Sequence, residues 1–270
     1  NVHPNTMEII GYDKEKNIID NWTVYSVGGG TILVDGENSS DLPEVYTLNK
    51  FEDIKLYCKK NNLKLHEYVY NVEVWQAMKD AVERGLNAKG NIPGRLRLSR
   101  SALNVYNTIV ENEDDSLRQT RLLSSYAIAV SEENASGGKI VTAPTCGASG
   151  VLPAVLYYYN HEKDIPEYTI IEALAVAGLI GNIIKTNASI SGAECGCQAE
   201  IGTACSMAAG AVAYIMGLDI DRIENSAEVA MEHHLGLTCD PIYGYVQIPC
   251  IERNAVAAIR AVDSAKLSML

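Results

Sequence analysis

"VEVWQAMKDAVERGL" occupies Val72 to Leu86. Val74, Met78, Val82 and Leu86 step through it four at a time, with polar residues between them and Gly85 near the end. Apolar residues at that spacing line one face of an α-helix. The stretch decides the fold class because the chain changes character around it. Upstream the pattern is mixed, and downstream almost everything reads as helix.

Upstream, "MEIIGYD" (Met7–Asp13) and "IIDNWTVYSV" (Ile18–Val27) are strand-like runs on either side of the polar "KEKN", which predicts a hairpin. "GGG" (Gly28–Gly30) breaks the chain before a short strand, "TILVD". "NKFEDIKLYCKKNN" then has helical spacing through Phe51, Ile54 and Tyr57. Downstream, residues 100–132 continue helical. "TAPTCGASGVLP" (Thr142–Pro153) is a loop feeding the helix "AVLYYYN", and segments 168–186 and 203–217 are small-residue helices. "IERNAVAAIRAVDSAKL" closes the chain, with Ile251, Ala255, Ile259 and Val262 on one face. The expected class is α+β overall: a small α/β N-terminal fragment over residues 1–65, followed by a large all-helical domain over residues 66–270.

Composition excludes several functions. Acidic residues outnumber basic ones 34 to 22, for a net charge of −12. Nucleic-acid affinity rests on clustered Lys and Arg, so no nucleic-acid partner is expected. The local exception, "GRLRLSR" (Gly94–Arg100), reads as a solvated turn before a helix. The most membrane-like run, "YTIIEALAVAGLIGNIIK" (Tyr168–Lys185), is short and contains Glu172 and Asn182, so a buried helix is expected and no membrane partner. The seven cysteines are odd in number and do not suggest a small secreted disulfide scaffold. The start, "NVHPNTMEII", does not read as a secretory leader, which makes a reducing cytoplasm the default.

The cysteines divide by setting. Cys58 and Cys205 sit inside helical runs and read as packed thiols. Cys197, Cys239 and Cys250 sit in "GAECGCQAEIG", "GLTCDP" and "QIPCIERN". Pro249 puts Cys250 at the start of a helix, where free N–H groups and the macrodipole favour a thiolate. "SGAE" (Ser191–Glu194) has the form of a capping box. Asp240 and Pro241 keep Cys239 out of regular helix. Structural zinc calls for paired short spacings, and the close pair here is Cys195 and Cys197 alone. Three separated cysteines fit an iron–sulfur cluster better, although spacing leaves both open.

Longer stretches carry a resemblance. "NASISGAECGCQAEIGTACSMAAG", "MEHHLGLTCDPIYGYVQIPCIERNA" and "VTAPTCGASGVLPAVL" resemble the signature segments of the bacterial iron–sulfur L-serine dehydratases, also called L-serine ammonia-lyases. "VEVWQAMKDAVERGL" and "GNIPGRLRLSRSA" resemble the start of that family's helical α domain, and "HPNTM" and "YSVGGG" the end of its β domain. The resemblance implies a 4Fe-4S cluster on Cys197, Cys239 and Cys250, with Cys195 a bystander. It implies conversion of L-serine to pyruvate and ammonia by β-elimination of water. The iron left open by three ligands would act as a Lewis acid on the hydroxyl.

A base must take the α-proton, and the candidates are His3 and His233, with His234 less favoured. The loops offer Thr142, Thr145, Cys146, Gly147, Ser149, Asn187, Ser189 and Ser191 to the substrate, and Arg253 to its carboxylate. Single-chain relatives carry a further N-terminal "SSSHT-x-GP"-like segment, so a fragment of a longer enzyme is expected, cut short at both ends. A homo-oligomer, first of all a dimer, is the expected assembly.

Two rival enzymes and one non-enzyme are the other readings of the sequence. A pyridoxal-phosphate (PLP) dehydratase needs a Schiff-base lysine and a Gly-rich loop at a helix start. "GGG" leads into a strand-like run and "SGGK" (Ser136–Lys139) into "IVTAP", so no PLP is expected. A related iron–sulfur lyase such as a cysteine desulfidase, or a cluster-binding protein without catalysis, are the alternatives.

Overall fold

The computed structural model describes residues 6–28, 31–35, 48–68 and 73–270. The chain divides into two compact units, Asn1–Thr47 and Leu48–Leu270.

The first unit is a three-stranded antiparallel sheet in the order β1 (Thr6–Tyr12), β2 (Ile18–Gly28), β3 (Thr31–Val34). The expected hairpin forms, with Thr6 opposite Tyr25 and Ile9 opposite Trp22. Its turn is held by Asp13, whose Oδ1 accepts from the backbone N–H groups of Glu15 and Asn17 at 2.8 Å each. This is the local bonding that makes Asp a turn residue.

The second unit is helical. It comprises α1 (Phe51–Asn61), α2 (Glu73–Asn87), α3 (Ala102–Asn107), α4 (Asp115–Ala135), α5 (Val151–Glu162), α6 (Glu167–Asn187), α7 (Gly192–Cys195), α8 (Cys197–Ile215), α9 (Ile220–Glu232) and α10 (Cys250–Leu267). The α+β class with a mostly helical body is thus as the sequence led one to expect. One reading needs correction: residues 100–132 are not one helix. The chain leaves α3 at Thr108, and Asp114 starts α4 by accepting from the Leu117 N–H at 2.7 Å. An N-cap aspartate satisfies one of the donors that a helix start leaves unpaired.

α8 is the central helix. It is buried almost continuously from Ile201 to Ala213 and packs against α5, α6, α9 and α10. Its Ala and Gly residues let those neighbours approach closely, which agrees with a core poor in Phe and Trp. α6 is long and apolar enough to span a bilayer by length and composition, and half of that window is buried inside the protein. A core helix passes the same test. α8 and α10 pack together, and their first residues, Cys197 and Cys250, are near enough to interact.

Candidate active site

The start of α8 is set by Gly196, at φ +79°. An L side chain rarely adopts that conformation, and here a Cβ would also come within 2.6 Å of the Leu237 carbonyl oxygen. The close approach lets residues 236–239 lie across the helix start. The Gln198 N–H donates to the Leu237 carbonyl at 3.0 Å, and the Gln198 Oε1 accepts from the Gly236 N–H at 2.9 Å. Cys239 follows in the same loop, exposed and outside regular helix as its Asp-Pro successor predicts. Arg253, from the first turn of α10, donates from Nη1 to the Thr238 carbonyl at 2.7 Å and so supports that loop. Cys250 is the first residue of α10, with Pro249 as its N-cap.

Three thiols from three segments therefore face one another. Cys197 and Cys250 are buried and Cys239 is exposed. Cys197 lies close enough to Cys239 to act on its thiol, and both act electrostatically on Cys250. As free thiols, Cys239 and Cys250 are not poised as thiolates. Burial pushes the Cys250 thiol up to about 12, with Cys197, Glu200 and Cys239 adding to the effect and Arg253 opposing it. Burial also raises Cys239, again helped by Cys197 and Glu200. The expectation that the α10 N-terminus favours a Cys250 thiolate is thus corrected. Desolvation and neighbouring negative groups outweigh the helix dipole there.

A positively charged group bound by the sulfurs would reverse that balance. Among the described residues, no three His, Cys, Asp or Glu side chains are disposed to hold a single metal ion. The donor set does suit a polynuclear group, in which each cysteine binds a different iron and the sulfurs stand further apart. Cys197, Cys239 and Cys250 supply the donor type that such a group takes, thiols alone.

The loop 142–150 is fastened to this site from two sides. Asn254, fully buried one turn into α10, accepts from the Gly150 N–H at 2.9 Å. Its Nδ2 donates to the Gly147 carbonyl at 2.7 Å and the Cys250 carbonyl at 2.8 Å. From α8, the Glu200 carboxylate accepts a short hydrogen bond from the Thr145 hydroxyl. That carboxylate lies against two glycines from different loops. A Cβ on Gly147 would stand 2.6 Å from Oε1, and one on Gly192 would stand 2.8 Å from Oε2 and 3.5 Å from the Cys239 sulfur. Neither Glu200 nor Asn254 was among the residues singled out from sequence. The signal for Glu200 was Cys-x-x-Glu, a spacing of three that places both residues on one helix face.

The sequence-derived candidates separate into two groups. Thr145, Gly147, Ser149 and Arg253 lie in the segments fastened around the thiols; the Ser149 hydroxyl donates to the Cys146 carbonyl at 2.7 Å. Cys146 itself is exposed in the loop. Ser189 and Ser191 flank the Gly192 turn. The Ser189 hydroxyl donates to the Glu194 carboxylate at 2.6 Å, and Ser191 makes no side-chain cap to α7. The capping box read in "SGAE" is therefore absent, because Glu194 is engaged by Ser189.

Thr142 instead lines a cavity of about 190 Å³ with Met78, Leu152 and Met207. Asn187 ends α6, with Nδ2 donating to the Ile183 and Asn49 carbonyls. His233 is exposed at the end of α9, with Nδ1 against the Val229 carbonyl at 2.8 Å. His234 is buried, with Nδ1 against the Ala230 carbonyl at 2.7 Å, and burial lowers its pKa. His3 lies outside the described residues. Beside the thiols, Cys195, Gln198, Thr238 and Cys239 help to line a cavity of about 350 Å³.

Residues 42–270 match the family described as the serine dehydratase alpha chain. An L-serine dehydratase of Streptomyces coelicolor is 40% identical over 289 residues, and one of Haemophilus influenzae is 41% identical over 293. L-serine dehydratase 2 of Escherichia coli is 40% identical over 291. Each alignment takes in 99% of this chain, and the chain spans 64% of the length of each relative.

Proposed function

From the premise that this chain belongs to the serine dehydratase alpha chain family, we propose that it carries the helical part of an L-serine ammonia-lyase that makes pyruvate and ammonia. The observation that carries the reading is the convergence of Cys197, Cys239 and Cys250 at two helix starts and an intervening loop. In this reading they hold a 4Fe-4S cluster. When bound, the cluster supplies an iron with an open coordination position, a Lewis acid for the serine hydroxyl.

The chain's own residues do the rest. Asn254 and Glu200 fasten the loop 145–150 beside the thiols. Arg253 holds the Cys239 loop by its Thr238 carbonyl. The α-proton passes to a histidine, His3 or His233. At His233, donation from Nδ1 to the Val229 carbonyl leaves Nε2 as the basic nitrogen. Residues 1–65 are assigned to the end of a β domain and 66–270 to the α domain. A homodimer in the cytoplasm belongs to the same proposal.

One anaerobic experiment tests it. The protein is reconstituted with iron and sulfide, both are quantified, and pyruvate is assayed from L-serine against D-serine and L-cysteine. About four irons per chain and pyruvate from L-serine are expected. Full iron content without serine turnover supports a cluster protein of another kind, and preference for L-cysteine supports a desulfidase.

A further inference from the structure

Glu200 is an unusual carboxylate. It is half-buried, it lies among three thiols, and it takes part in no ion pair among the described residues. Oε1 accepts from the Thr145 hydroxyl, whereas Oε2 accepts no hydrogen bond from the described residues. Gly147 and Gly192 leave the room in which the carboxylate sits: a Cβ at either would stand within 3.0 Å of a carboxylate oxygen and would require the Glu200 side chain to shift. The site thus fixes one oxygen and leaves the other available, next to the turn that carries Gly192. A carboxylate in such a place is completed by a cation with hydrogen-bond donors. The nearby Arg253 already donates from Nη1 to the Thr238 carbonyl. The ligand itself can bring the cation: an α-amino acid carries an ammonium group with three donors, and a charge-assisted bond to it gains strength in a partly desolvated cleft.

We propose that Glu200 receives the α-ammonium group of the amino-acid substrate, with Oε1 held by Thr145 and Oε2 presented to the ligand. This rests on the reading of the site as that of an L-serine lyase. Glu200 then determines specificity: it separates amino acids from hydroxy acids of the same shape. A glutamate that merely pinned the loop would affect both kinds of ligand alike.

The test uses the iron-loaded full-length protein and its Glu200→Gln variant, matched for iron and sulfide. Calorimetric Kd values are measured for L-serine and for 3-hydroxypropionate, which is serine without its ammonium, and KM is measured for L-serine. The variant is expected to weaken L-serine by about tenfold to a hundredfold, the range of one charge-assisted bond, and to change 3-hydroxypropionate by less than about twofold. Equal weakening of both ligands, or none for L-serine, overturns the assignment. If Glu200→Gln does not retain iron, Thr145→Val answers the same question. It leaves the carboxylate but frees Oε1, so a smaller loss confined to L-serine is expected, and a loss common to both ligands overturns the proposal. Wild-type protein with full iron that neither binds nor turns over L-serine removes the lyase reading itself, and this inference with it.

Discussion

Asn254 makes the heaviest demand on its surroundings of any polar side chain near the thiols. It is fully buried and joins α10 to the loop before α5 by three hydrogen bonds. Asn254→Ala strips the Gly150 N–H and the Gly147 carbonyl of that partner, and both glycines are buried. The Cys250 carbonyl lies in the first turn of α10 and has the helix ladder to fall back on. A buried polar group left without its partner costs roughly 1–3 kcal/mol, so two of them cost about 2–6 kcal/mol. Taking about 3 kcal/mol, the melting temperature falls by roughly 6–12 °C for a chain of this size. Asn254→Asp keeps an acceptor for the Gly150 N–H but turns the amide donor into an oxygen facing two carbonyls, so its loss is at least as large. Asn104→Ala, at an exposed position on α3, changes stability by less than about 0.5 kcal/mol. Calorimetric melting of the three variants against wild type, all free of iron, is the assay. If Asn254→Ala and Asn104→Ala melt within about 2 °C of each other, the accounting of orphaned groups is wrong.

Two further outcomes follow from the same geometry. Gly196→Ala places a side chain at φ +79° and within 2.6 Å of the Leu237 carbonyl. It should cost about 1–3 kcal/mol and reduce iron uptake by separating Cys197 from the Cys239 loop; unchanged iron per chain in anaerobic reconstitution contradicts this. His234 has a folded-state pKa below its ordinary value because burial disfavours the imidazolium. Its share of stability is therefore present above about pH 6.5, where folded and unfolded forms are both neutral. That share is lost as pH falls toward the folded value, because the unfolded chain takes up the proton first. The urea midpoint should decline below about pH 6.5, and less steeply in His234→Asn; identical slopes for the two proteins contradict the assignment.

How much of this was legible in the sequence depends on the range of the interaction concerned. α2 was legible because its apolar step of four is a local property, and so was the β1–β2 hairpin around Lys14–Asn17. Cys250 was legible as a helix start because Pro249 precedes an amphipathic run. The break before α4 had its local signal too, in the Asp114 cap, but continuous apolar periodicity on both sides masked it. "SGAE" failed for the opposite reason. The pattern was present, yet Ser189 reaches Glu194 and competes for the oxygen that the cap would need. Burial at Cys250 is likewise a tertiary fact, and it reversed an expectation drawn from helix dipoles alone. Asn254 carried no local signal, because its meaning lies in Gly147 and Gly150, more than a hundred residues upstream.

The placement of the thiols explains why the site depends on the fold as a whole. Cys197 and Cys250 begin two helices that pack against each other, so their separation depends on the α8–α10 interface. Cys239 sits in a loop whose position depends on contacts from both helices: Gln198 from α8 and Arg253 from α10. The Thr145–Gly150 loop is fastened by Glu200 and Asn254, again one residue from each helix. Each helix therefore contributes one thiol, one support for the Cys239 loop and one for the Thr145–Gly150 loop. A change in the packing of α8 on α10 moves all of these groups at once. Core substitutions at that interface, such as at Ala257 beneath Cys205, should impair iron binding in proportion to their effect on stability, although they touch no ligand.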